Sequence, residues 1–98
     1  MSQPMKQAKE IVEKIIKTDN GSHEEQLKTI DKLIAQNQGK IWLRTRSGKP
    51  MAEKMETTAS LVLEKLEKGA DIGMGLEELM GVAKEIDEES QRRSMVVT

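Results

Sequence analysis

Apolar residues recur at steps of three and four along most of this chain, which is the spacing that lines one face of an α-helix. In the first such stretch, residues 4–17, the apolar stripe is formed by Met5, Ala8, Val12 and Ile15. Pro4 suits the first turn of a helix, where its missing N–H would have no partner in any case. Asn20 and Gly21 are expected to end this helix.

A second helix is predicted from Ser22 to about Gln38. Ser22 and Glu25 have the spacing of a capping box, in which each side chain hydrogen-bonds the backbone N–H of the other residue. The buried face of this helix is expected to consist of Leu27, Ile30, Leu33 and Ile34.

Two further helices are predicted in the second half of the chain. Residues 50–68 form a stripe of Met51, Met55, Ala59, Val62 and Leu66 and end at Gly69. After a glycine-rich connector, residues 76–92 form a stripe of Leu76, Leu79, Met80, Ala83 and Ile86. Acids at the start of the last helix and arginines at its end would complement the helix dipole, and these are Glu77, Glu78, Arg92 and Arg93.

Four amphipathic helices with short connectors predict an all-α fold, either an antiparallel bundle or two stacked helical hairpins, in a single domain over residues 1–98. One alternative concerns residues 40–46, where apolar and polar residues alternate as they do in a β-strand. Because a lone strand is not stable, this alternative requires a partner strand from the Val96-Val97 tail or from a second subunit.

The composition limits the kind of protein. The chain contains no cysteine, which excludes disulfides and thiolate metal sites and favours a cytoplasmic location. It shows no signal peptide and no apolar run near the roughly 18 residues of a membrane span. Seven Met and a single aromatic residue predict an aliphatic, thioether-rich core. The stripes of the third and fourth helices look too large for one chain to cover, so a homodimer is expected.

Residues with catalytic or ligand-binding chemistry are few. His23 is the only histidine and lies beside two glutamates at a helix start. The acids Glu85, Asp87, Glu88 and Glu89 are spread around a helix, and the glycines of residues 69–75 lack the spacing of a nucleotide-binding loop. No nucleophile with a matching base is recognisable. We therefore expect a protein that is not an enzyme and binds no cofactor and no metal.

The strongest functional signal is a basic window. From Lys32 to Ala52 the chain carries five cations and no acid, and its single aromatic residue, Trp42, lies among them. Cations around one large amphipathic ring are typical of a contact surface, whereas a single Trp between Ile41 and Leu43 is also typical of a core residue. We call residues 40–49 the basic segment, and its predicted partner-binding residues are Lys40, Trp42, Arg44, Arg46 and Lys49.

Two functions fit this segment. The first is a helical interaction or regulatory module that binds a protein partner through the basic segment and through Met-rich helix faces. The alternative is a small DNA-binding transcriptional regulator, in which the same cations lie along the phosphate backbone and Trp42 stacks on a base. A sequence pI near 5.9 favours the first, because dedicated nucleic-acid binders are usually basic.

Overall fold

The computed structural model describes the backbone of residues 3–38, 48 and 50–97, and within these ranges the side chains from 5 to 92. It contains four α-helices, namely α1 (Gln3–Asp19), α2 (Glu24–Gln36), α3 (Met51–Glu67) and α4 (Gly73–Val97). The predicted all-α fold is confirmed, and the described residues form no β-strand. None of the helices in this described part is both long and apolar enough to cross a membrane.

The helices form two antiparallel hairpins that stack side by side. Short connections at residues 20–23 and 68–72 join α1 to α2 and α3 to α4. Both α1 and α4 pack against α2 and α3, whereas α2 and α3 do not contact each other among the described residues. The second hairpin therefore lies along the first, with α1 beside α3 and α2 beside α4.

One continuous core fills the space between the four helices. The predicted stripes of all four helices point into it, and Leu33, Leu66 and Met80 are partly buried at its edge. Ile72 and Val82 also belong to the core, although the sequence pattern did not single them out. The fully buried large side chains are Met5, Ile15, Leu27, Ile30, Ile34, Met55, Leu76, Leu79, Val12 and Val62.

The burial of this core contradicts the reason for which a dimer was predicted. The stripes of α3 and α4 were expected to need a second subunit to cover them, but Met51, Met55, Val62, Leu76 and Leu79 are buried within a single chain. The reason is that α3 lies against α1 as well as α4, so its stripe faces two helices. For the same reason, Met51 and Met55 do not offer a Met-rich surface to a partner.

The capping box predicted for Ser22 and Glu25 does not form in the turn between α1 and α2. α2 begins at Glu24 with His23 as its N-cap, and Ser22 is exposed. The N-cap residue makes no side-chain cap bond, and the turn is held instead by Asp19 at the end of α1, whose Oδ2 accepts a hydrogen bond from the His23 backbone N–H at 2.7 Å. Asn20 and Gly21 both have positive φ angles, 56° and 84°, and this tight turn brings the two groups together.

The turn between α3 and α4 agrees with the predicted stop at Gly69. Gly69 has a φ of 77°, its N–H donates to the Leu66 carbonyl, and the Ala70 N–H donates to the Lys65 carbonyl. These two bonds form a Schellman motif, which satisfies the last carbonyls of α3.

α4 is longer than predicted at both ends. It starts at Gly73 rather than Leu76, because the Asp71 carboxylate accepts the Gly73 N–H at 3.1 Å and satisfies a free donor of the first turn. It also continues to Val97, so the proposed β-pairing of Val96-Val97 is wrong. Glu77 and Glu78 therefore fall outside the first turn of α4, and Arg92 and Arg93 fall outside its last turn.

Candidate protein-interaction surface

The predicted partner-binding residues lie within ten consecutive positions of the chain, outside the residues that the structure describes. Lys40, Trp42, Arg44, Arg46 and Lys49 all lie outside the described residues, as do residues 40–46, for which a strand was the alternative. The described residues on either side define the scaffold to which the basic segment is attached.

At its N-terminal side the basic segment follows a buried polar anchor. Asn37 is the C-cap of α2 and is only 3% exposed. Its Nδ2 donates to the Leu33 carbonyl at 2.8 Å and to Asp87 Oδ1 at 3.1 Å. Gln91 Nε2 donates to the other oxygen of Asp87 at 2.9 Å. The end of α2 is thus hydrogen-bonded to the middle of α4.

At its C-terminal side the basic segment leads into α3. Pro50 is the N-cap of α3 in an extended conformation, and its carbonyl accepts the first helical bond from the Lys54 N–H. Lys54 Nζ lies 4.0 Å from Glu85 Oε1 on α4. Glu85 and Asp87 therefore mark the level of α4 at which α2 ends and α3 begins.

The same end of the bundle is acidic. Glu85 and Glu88 are exposed, and Asp87 and Glu89 are half-buried. Glu89 pairs with Arg92 at 3.3 Å, one turn further along the helix. α4 continues for ten residues beyond Asp87, which is about 15 Å of helix at the usual rise. The described residues on both sides of the basic segment, Asn37 and Pro50, therefore lie near these carboxylates.

A shallow groove lies on the outer side of the α3 and α4 hairpin. It has a volume of about 50 Å³ and is lined by Thr58, Leu61, Val62, Lys65, Gly75 and Glu78. Gly75 lets the two helices approach closely, because a Cβ there would lie 3.0 Å from Val62 Cγ2. Small-molecule sites usually measure roughly 300–1,000 Å³. This groove therefore suits the end of a single side chain rather than a substrate.

The His23 side chain contacts the buried carboxylate of Asp19. Its Nδ1 lies 3.1 Å from Asp19 Oδ1, and the Asp19 side chain is 4% exposed. Both Asp19 contacts hold the turn between α1 and α2 in place. No third His, Cys, Asp or Glu joins this pair in a metal-binding group, and the described part of the chain contains no such group elsewhere.

Ion pairs on the first hairpin shift the pKa values of a few side chains. Burial acts to lower the pKa of Lys9, but hydrogen bonds to Glu13 at 3.2 Å and to Asp31 at 3.3 Å outweigh it, so this pKa is raised. A hydrogen bond from Lys28 lowers the pKa of Glu24, and the same bond raises the pKa of Lys28. The Lys9 to Asp31 pair connects α1 to α2.

Comparison with known proteins adds no functional analogy. No protein-family model, no curated protein and no solved structure matches this chain.

The sequence pattern does not indicate the structural roles of Asp19, Asn37 and the groove residues. Asp19 and Asn37 look like ordinary turn residues in the sequence, and only the Asn20-Gly21 pair hints that an aspartate before it could cap the next helix. The groove residues on α3 and α4 become neighbours only through the pairing of the two helices. A pattern along one helix does not reveal which side of it faces another.

Proposed function

We propose that this chain is a cytoplasmic, non-enzymatic interaction module that binds a protein partner through the basic segment, with Trp42 as the apolar anchor. The described helices supply a scaffold that holds both ends of the segment at one end of the bundle. Asn37 is hydrogen-bonded to α4 two residues before Gly39, and Pro50 caps α3 directly after Lys49.

The observation that carries this proposal is the distribution of charge. Residues 3–38 contain six acids and six bases, whereas residues 50–92 contain eleven acids and five bases. The basic segment itself carries four cations and no acid. The molecule therefore combines a neutral hairpin, an acidic hairpin and a cationic connection between them. Such a layout favours a partner surface with complementary patches of both signs.

The position of the acids favours protein over DNA. Glu85, Asp87 and Glu88 lie on α4 at the level where the basic segment begins and ends. A continuous phosphate backbone that contacted the segment would pass close to these carboxylates, whose charge repels it. A protein surface can place its own cations opposite them. DNA binding through residues 40–49 is the second candidate, and it rests on the four cations and Trp42 alone.

Reversing two charges in the basic segment tests the proposal. The double variant Arg44→Glu with Arg46→Glu is expected to unfold at nearly the wild-type temperature, because long cations without buried partners lie on the surface. Its affinity for the partner protein isolated with the wild-type chain should fall by about tenfold or more. The matched control is Lys14→Glu with Lys17→Glu, which reverses two exposed charges on α1 and should bind like wild type.

Titration with random duplex DNA separates the two candidates. The proposal expects no binding at physiological salt. Binding whose logarithm falls steeply with the logarithm of salt concentration, and which disappears in the Arg44→Glu, Arg46→Glu variant, would establish the DNA-binding alternative instead. If the double variant unfolds, or binds the partner protein as tightly as the Lys14 and Lys17 control, the basic segment is not the contact surface.

A further inference from the structure

Two rows of side chains border the groove on the outer face of the second hairpin. The α3 row consists of Lys54, Thr58, Leu61 and Lys65, and the α4 row consists of Met74, Glu78, Gly81 and Glu85. Both rows have steps of four, three and four, so each follows one side of its helix. Lys54 and Glu85 contact each other at 4.0 Å at one end, and Lys65, Gly75 and Glu78 line the groove further along.

The rows contain apolar side chains that the fold leaves uncovered. Leu61 is 54% exposed and Met74 is 82% exposed, and they are the exposed large hydrophobic residues of the described chain. Each lies in one of the two rows. Their placement on one face distinguishes them from isolated surface hydrophobics, which are common and need no partner.

Gly81 is the second independent sign of a contact. It is an exposed residue in the interior of α4, and a Cβ added to it would meet no atom within 4 Å. The fold of one chain therefore gives no steric reason for glycine at this position, although glycine costs about 1 kcal/mol relative to alanine inside a helix. A second molecule whose backbone or side chain approaches this position closely would explain the glycine.

The charges of the two rows are opposite. The α3 row carries two lysines and no acid, whereas the α4 row carries two glutamates and no base. Lys65 and Glu78 on the groove rim form no ion pair within the described residues. Both charges are therefore available to a surface that approaches from outside.

From these features we propose that the outer face of α3 and α4 is the interface of a homodimer, with a second copy of this chain as its occupant. A two-fold axis along the groove places the α3 row of one copy over the α4 row of the other. Lysines then face glutamates on both sides, as a self-complementary interface requires. An axis across the groove would place lysines over lysines. The two rows share no residue with the basic segment, so the homodimer and the partner contact are tested with different variants.

The size of this face predicts a weak dimer. α3 has 17 residues, which gives a face about 25 Å long, and the molecule is 23 Å wide. The footprint is on the order of 500–600 Å² per copy, below the roughly 800 Å² per partner of a standard interface. Leu61 would lie near its centre and Met74 at one end, and Gly81 would let the two copies approach each other.

Sedimentation equilibrium of Gly81→Arg tests the dimer without threatening the fold. Arginine is a better helix former than glycine and meets no atom at this position, so the melting temperature should not fall. The dimer dissociation constant should rise by about tenfold or more, because the added side chain holds the two faces apart. The matched control is Ala35→Arg, which adds the same side chain to an exposed position of α2. It should dimerise like wild type.

Exchanging the charges of Lys65 and Glu78 gives a result that a purely structural role of these two residues would not produce. Lys65→Glu and Glu78→Lys should each weaken the dimer, because each places like charges opposite each other twice in a symmetric interface. The combined variant should restore it. A monomeric wild-type chain at millimolar concentration, a Gly81→Arg variant that dimerises like Ala35→Arg, or a combined variant no tighter than either single one would overturn the proposal. None of these results changes the test of Arg44 and Arg46.

Discussion

Replacing Leu79 by alanine is expected to lower the free energy of unfolding by about 2–5 kcal/mol, the usual cost of emptying a fully buried leucine site. Leu79 has no exposed surface and lies on the core side of α4. A domain of this size has a total stability of about 5–15 kcal/mol, so the loss is a large part of the whole. Urea denaturation at a concentration that keeps the chain monomeric measures it.

Leu61→Ala is the matched control for this experiment. It removes the same atoms from a side chain that is 54% exposed, so most of them stay in water in the folded state. The expected loss is less than about 1 kcal/mol. Equal losses for the two variants would mean that α4 does not pack on the other helices through Leu79.

Replacing Asp19 by alanine is expected to cost about 1–3 kcal/mol of unfolding free energy. The change removes the acceptor of the His23 N–H and leaves this donor at the start of α2 without its protein partner. The side chain is almost fully buried, so water cannot easily replace it. Thermal and urea denaturation at neutral pH measure the loss.

Ser22→Ala separates the Asp19 contact from the capping box that the sequence predicts. Ser22 is exposed, and the N-cap position belongs to His23, so the variant should keep nearly wild-type stability. A loss of about 1 kcal/mol in Ser22→Ala together with none in Asp19→Ala would show that the capping box forms after all.

The buried faces of the helices were predictable because burial follows helical spacing directly. Every stripe residue from Met5 to Ile86 that the spacing placed inward is buried or half-buried. Burying apolar surface is the largest favourable contribution to folding, so this pattern dominates the sequence. The stops at Gly21 and Gly69 were predictable for a related reason, since both adopt positive φ angles.

The helix starts were not predictable to the same degree. The N–H groups at a helix start can donate to any nearby oxygen, and here the His23 N–H donates to Asp19 through a turn whose geometry the sequence does not specify. Asp71 likewise allowed α4 to begin on Gly73, although glycine is a poor helix former. These choices are small in free energy and are decided by the surrounding structure.

The pairing of the helices explains what the sequence could not say about surfaces. Met51 and Met55 were predicted to form part of a dimer face, but they are buried in the core of one chain, whereas Leu61 and Met74 are exposed. Spacing along one helix identifies its apolar side, but not how many neighbours that side has. Residues 40–49 remain a sequence prediction, because the five partner-binding residues lie outside the described chain.

Trp42 provides the most direct measurement of the proposed contact, because it is the only aromatic residue in the chain. Incorporation of fluorotryptophan therefore gives a single fluorine NMR resonance that reports on the basic segment alone. On addition of the partner protein, this resonance is expected to shift in wild type and to stay in place in the Arg44→Glu, Arg46→Glu variant. A resonance that stays unchanged while the wild-type chain binds its partner would contradict the assignment of the basic segment as the contact surface.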